Sequence, residues 1–215
     1  MSDYIVASIG SSGSRLLVQM IEAASGLKHC NDDTARWRGM ILHTHKPFDA
    51  NDQRLKPHNW RAVFIWSHIG DAINGLYEKR ISQEAGLRLM NVEENARQNF
   101  LERVDVDPIG AWIELINGDK LNWRRNLLAW AAAPNTYSIN YEVFCLAPNG
   151  ICSMLSKFLD LEIPAPKIKL RTSNWLRLPD QIRSEIQSEY GDLLEIGNKI
   201  QLARKICEVV DTWAN

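Results

Sequence analysis

The stretch Gly10-Ser11-Ser12-Gly13-Ser14-Arg15 joins an apolar run, Tyr4-Ile5-Val6-Ala7, to the amphipathic stretch Leu16-Leu17-Val18-Gln19-Met20-Ile21. Small residues between a buried strand and a helix start make an anion cradle. The first N–H groups of the helix and its positive dipole end face whatever sits in the turn. Two glycines let the backbone come close, the serine hydroxyls add donors, and Arg15 adds a fixed charge with planar donors. The same stretch also fits an ordinary strand-turn-helix connection. Downstream, His43 and His45 flank Thr44, so an extended strand turns both to one side. An imidazole at a strand end beside a phosphate-sized turn suits proton transfer near neutral pH. His29 and His58 have no such context.

Positioning these groups requires strands that end at one edge. Strand-like runs at residues 4–8, 40–44, 62–66 and 137–140 are separated by helical patterns at 15–24, 69–80, 93–104, 121–132 and 148–159. The C-terminal third, 179–214, reads as two further helices. Alternating strands and helices predict an α/β fold, a three-layer α/β/α arrangement around a mostly parallel sheet of four to five strands. One domain over 1–215 is expected from the length. Segments 46–59 and 105–119 are the least regular and read as surface loops at a site mouth.

Charge is nearly balanced, 25 Lys and Arg against 26 Asp and Glu, so no global field points to nucleic acid or a membrane surface. Any anion site must be local. No run approaches the ~20 apolar residues of a membrane span, and the chain enters its first strand at once, so a cytoplasmic protein is expected. Cys30, Cys145, Cys152 and Cys207 lack metal-like spacing and read as reduced thiols; no metal is expected. The glycine loop is neither a Walker A motif, because Ser14 and Arg15 follow Gly13, nor a dinucleotide fingerprint, because no third glycine follows.

Several segments together resemble the sulfotransferase family. The loop from Gly10 to Leu16 is similar to its 5′-phosphosulfate loop, Pro-Lys/Arg-Ser-Gly-Thr-Thr-Trp. Leu42-His43-Thr44-His45-Lys46-Pro47-Phe48 is similar to its Lys-Thr-His-x-Pro segment. Phe64-Ile65-Trp66-Ser67-His68-Ile69-Gly70-Asp71 falls where the family has Val-Arg-Asp-Pro-Arg-Asp. Tyr141-Glu142-Val143-Phe144 resembles its Tyr-Glu-Asp-Leu segment, and Phe158-Leu159 with Ile163-Pro164 its Phe-Leu-Gly-Leu-Pro wording. Arg171-Thr172-Ser173-Asn174-Trp175 stands where the family carries a basic loop near a tryptophan.

The resemblance implies transfer of a sulfuryl group from 3′-phosphoadenosine 5′-phosphosulfate (PAPS) to a hydroxyl or amine, leaving adenosine 3′,5′-bisphosphate. It implies cofactor contacts from Gly10, Ser11, Ser12, Gly13, Ser14, Arg15, Ser67 and Arg171, and a small-molecule or glycan acceptor. His45 becomes the base, with His43 and Arg15 assisting at the sulfonate. Three positions depart from the pattern: Ser11 replaces the loop cation, and Ser67 and Gly75 replace the 3′-phosphate arginine and serine. A lost cation facing developing charge costs ~10²–10³ in rate. Either Arg15, His68 and Arg171 substitute, or the protein is a weak or inactive nucleotide-binding module. A P-loop kinase is disfavoured by the missing Walker lysine and strand-end Mg²⁺ aspartate. A Rossmann-like interaction protein, its loop only a turn, is the remaining alternative. Trp60, Trp112, Trp123 and Trp130 are expected in the core, or lining an apolar acceptor pocket or stacking on adenine.

Overall fold

Tyr4-Ile5-Val6-Ala7 is apolar at every position, the pattern of a strand covered on both faces. In the computed structural model of the protein it forms the central strand of a five-stranded sheet. Residues 3–10, 12–31, 37–55, 59–78, 87–88, 92–168 and 174–213 are described, with backbone alone for residue 54 and residues 197–213. The strands are β1 (Asp3–Ser8), β2 (His29–Asn31), β3 (Ile41–Thr44), β4 (Trp60–Trp66) and β5 (Thr136–Asn140), in the order β2-β3-β1-β4-β5. Every strand pair is parallel. The sheet grows from β1 toward β2 and β3, then changes direction to β4 and β5. That reversal puts the carboxyl end of β1 at a switch point, where open α/β sheets bind ligands.

The described helices are α1 (Ser14–Ser25), α2 (Ile69–Glu78), α3 (Glu94–Arg103), α4 (Pro108–Ile116), α5 (Trp123–Ala131), α6 (Tyr141–Leu146), α7 (Pro148–Leu159) and α8 (Asp180–Trp213). Strand alternation divides them into two layers. Tyr4, Val6, Ile41, Val63 and Ile65 pack against Leu17, Val18 and Ile21 of α1, Phe144 of α6, and Ile151, Leu155 and Leu159 of α7. Ile5, Ala7, Leu42, Ala62 and Phe64 face α2, α3, α4, α5 and α8. The expected three-layer architecture is therefore present. Trp60, Trp112, Trp123 and Trp130 are all buried in the second core.

Two differences from the sequence reading have physical causes. Strand β2 has only three residues and buries only Cys30, too short a pattern to register as an alternation. Segment 105–119, expected as a loop, contains α4. Asp107 accepts from the Gly110 N–H at 2.9 Å, Pro108 supplies a ready-made φ at the first turn, and Ala111, Trp112, Leu115 and Ile116 bury one face. The C-terminal pair of helices is present as α8, with non-helical dihedrals at Tyr190 (φ −122°, ψ 24°) marking the break.

That break is tied down from outside. The Tyr190 hydroxyl donates to Asp119 at 2.7 Å, and Arg124 reaches both Asp192 oxygens at 2.7 and 2.8 Å. The Arg124 bonds hold the Asp192 carboxyl at about 2. A depressed acid contributes stability above its ordinary value and loses it as pH falls toward the folded one. Arg124→Ala is expected to cost at most about 1 kcal/mol at neutral pH, because Asp192 is exposed, and the deficit in urea titrations should shrink as pH falls from about 4 to 2.

Candidate functional site

Gly10 and Ser12–Ser14 lead into α1. Gly10 (φ 84°) and Gly13 (φ 81°) adopt left-handed backbone, and the Ser12 hydroxyl donates to the Gly10 carbonyl at 2.7 Å. Leu16 and Leu17 N–H groups both point at Gly13 O, at 3.0 and 3.4 Å. Ser14 and Arg15 stand before them as the first two helical residues, so their N–H groups have no partner within α1. Gly13, at the N-cap, has no side chain with which to cap this helix start. Ser12 and Ser14 are buried, and the Ser14 hydroxyl pairs with His43 Nε2 at 3.0 Å. Their hydroxyls therefore shape the turn, and the Arg15 side chain beside it is exposed. Tyr141, at the start of α6, walls the turn: a Cβ on Gly13 would stand 2.5 Å from its ring carbons. Ser11 lies outside the described residues, as does Arg171.

His43 and His45 converge as strand alternation requires. Their ring centroids are 4.8 Å apart at 69°. His45 Nδ1 lies 2.7 Å from Ser8 Oγ and 3.2 Å from Ser8 O. The Ser8 hydroxyl can donate or accept and the Ser8 carbonyl only accepts, so Nδ1 is the ring nitrogen that Ser8 engages. Asn126 on α5 donates through Nδ2 to His45 O at 2.6 Å and to Ser8 O at 3.3 Å, pinning both backbone segments. Sequence reasoning missed Ser8 and Asn126. Ser8 was legible as the last residue of the first strand; Asn126 acts across 81 and 118 residues and left no local signal.

Two cavities adjoin this centre on opposite faces of β3. Arg15, Gln19, Glu22, His29, Asn31, His43 and His45 line a cleft of about 300 Å³ beside α1. Leu42, Thr44, Lys46, Phe48, Leu55, Arg125 and Trp130 contribute to the other, about 200 Å³.

At the ends of β4 and β5 the polar groups are sealed in. Ser67 and His68 are fully buried, and Ser67 Oγ has no hydrogen-bond partner among the described residues. The His68 N–H donates to Glu142 Oε1 at 3.2 Å. Asp71 Oδ1 accepts from the Asn174 and Trp175 N–H groups at 2.8 and 3.0 Å, which lays the Trp175 ring over Gly70 and against His68. Burial pushes the Glu142 carboxyl above its ordinary 4.5, with the hydrogen bond from the His68 N–H opposing. A raised acid binds more protons folded than unfolded, so its contribution to stability falls as pH rises above that ordinary value. Glu142→Gln is expected to raise the melting temperature near pH 8 and leave it almost unchanged near pH 4. A lower melting temperature near pH 8 would contradict the cost assigned to the buried charge.

The chain's residues fit the two ends of PAPS unequally. The N–H groups of Ser14 and Arg15 and the Arg15 guanidinium are chemically matched to a phosphosulfate. Next to Ser67, His68 contacts the carboxylates of Asp71 and Glu142, a poor set for a 3′-phosphate. Among the described residues no cluster of three or more His, Cys, Asp or Glu could hold a metal ion. No described helix is long and apolar enough to cross a membrane.

The chain is similar to a mouse sulfotransferase. That structure, complexed with PAP, shares 15% sequence identity with this chain and superposes with a TM-score of 0.49. The match covers 87% of this chain and 65% of the mouse chain, so this chain spans less than two thirds of that sulfotransferase. No protein-family model matches the sequence, and no curated protein matches it.

Proposed function

We propose that this protein is a sulfotransferase that uses PAPS to sulfate a hydroxyl or amine, with His45 as the base. The observation that carries the reading is the His45 imidazole anchored on Ser8, two residues before Gly10 opens the anion cradle. Bound PAPS would supply an activated sulfuryl group and leave as adenosine 3′,5′-bisphosphate. The N–H groups of Ser14 and Arg15, the α1 dipole and the Arg15 guanidinium bind the phosphosulfate end. Ser8 holds the His45 ring by Nδ1, so Nε2 receives the proton of the acceptor. His43, fixed on Ser14, presents its ring edge to the same cleft.

Adenosine 3′,5′-bisphosphate at about 100 times its dissociation constant adds ~2.7 kcal/mol to stability and should raise the melting temperature accordingly. No shift at millimolar ligand would remove the reading. Arg15→Ala should weaken that binding roughly 10–100-fold, since a hydrogen bond to a charged group contributes about 1.5–3 kcal/mol. Equal affinity in a calorimetric titration would take Arg15 out of the site.

The carboxylates beside Ser67 favour a second reading, a binding module with little or no turnover. Bisphosphate binding without transfer from labelled PAPS to a broad acceptor panel would select it. Comparing AMP with adenosine 3′,5′-bisphosphate tests the same feature. Similar affinities are expected, and a hundredfold preference for the bisphosphate would show a cation at the 3′ end.

A further inference from the structure

We propose that the cleft beside α1 is the acceptor subsite and that it takes a polyhydroxylated, carbohydrate-like acceptor in preference to a flat aromatic one. This rests on the sulfuryl-transfer reading above. Three periodicities meet in the cleft. Arg15, Gln19 and Glu22 fall at i, i+4 and i+7 along one face of α1. His29 and Asn31 are alternate residues of β2, and His43 pairs in register with Asn31 on β3. The helix and the adjoining sheet face therefore both bring hydrogen-bonding side chains to the cleft. Among the described residues, Val18 is the only apolar side chain in the lining.

The lining supplies donors and acceptors together. Arg15 donates only; Gln19 and Asn31 do both; Glu22 accepts. Glu22 is itself fixed: its Oε1 takes the His29 N–H at 3.0 Å and lies 2.8 Å from His29 Nδ1, which holds its carboxyl below the ordinary value. His45 and Arg15, the proposed base and the proposed anion contact, line the same cleft. An acceptor lying in this cleft therefore presents a hydroxyl where proton removal and sulfonate binding meet. About 300 Å³ is the volume of roughly ten waters, which small sugars replace hydroxyl for hydroxyl.

The cavity on the other face of β3 is the natural place for an aromatic acceptor, with Phe48, Leu55 and Trp130 in its wall. It is served by Leu42 and Thr44, the residues of β3 that alternate away from His43, and neither His45 nor Arg15 lines it. An acceptor there has the sheet between it and the base. The tryptophans point the same way, since Trp60, Trp112 and Trp123 are buried in the core and do not line the His45 cleft.

The test uses the whole chain saturated with adenosine 3′,5′-bisphosphate. Methyl glycosides of glucose, galactose and N-acetylglucosamine are titrated against it, with 2-naphthol as the aromatic probe, while histidine ring signals are followed by NMR. At least one glycoside should shift the His29 and His43 signals saturably, and 2-naphthol should not. Gln19→Leu, a change at an exposed helix position, should weaken the glycoside about tenfold and leave the bisphosphate melting shift intact. Glycosides that move neither histidine, or naphthol that moves both, overturn the inference. If that happens while the bisphosphate still raises the melting temperature, the transferase reading stands and only the acceptor class falls. Glycoside binding without any bisphosphate binding overturns the acceptor role.

Discussion

His45→Ala abolishes turnover and leaves affinity for adenosine 3′,5′-bisphosphate nearly intact; that is the expected result if His45 carries the proton. A positioned base contributes ~10²–10⁴-fold, so transfer from labelled PAPS should fall by that factor. Affinity should hold because the cradle's donors are backbone N–H groups of Ser14 and Arg15, which the substitution does not touch. Ser8→Ala separates placement from presence. It removes the 2.7 Å contact to Nδ1 and keeps the 3.2 Å contact to Ser8 O, so kcat should fall less than in His45→Ala and the acidic limb of its pH profile should move. Turnover unchanged in His45→Ala, measured beside a bisphosphate titration, would remove the imidazole from the reaction.

Gly13→Ala is expected to damage both stability and binding. At φ 81° an L side chain crowds its own backbone by roughly 1–2 kcal/mol. The new methyl would also stand 2.5 Å from two Tyr141 ring carbons, so the wall of the turn must shift. A loss of about 2–3 kcal/mol in urea unfolding is expected, with the bisphosphate melting shift reduced or gone. The double variant Gly13→Ala with Tyr141→Ala removes the clash and keeps the backbone cost. It should recover part of the stability and little of the binding. Full binding in Gly13→Ala alone would mean that the turn's shape does not hold the anion.

Local patterns made much of this legible. The apolar run 4–7 specified a strand buried on both faces, and the glycine spacing specified a turn into a helix expected from Arg15, which the structure begins at Ser14. His43 and His45 share a side because strand side chains alternate, and no long-range information is needed for that. Helix α7 is visible end to end, from proline at its first turn to Leu159. Helix α4 was hidden because segment 105–119 mixes acidic, glycine and proline residues that also suit a loop. Its capping aspartate and the buried face from Ala111 to Ile116 decide for a helix once a core exists to receive them.

The sequence by itself determined the alternation of strands and helices, the placement of the glycine turn and the shared side of the two histidines. Each depends on spacing that repeats within a few residues. Tertiary structure alone decided the strand order, the clamp of Asn126 on Ser8 and His45, and the seating of Trp175 over Gly70 through Asp71. It also decided that the two sides of β3 open into a polar cleft and a partly aromatic cavity. These contacts join residues tens of positions apart, and their energies come from burial and hydrogen bonding that no local period encodes.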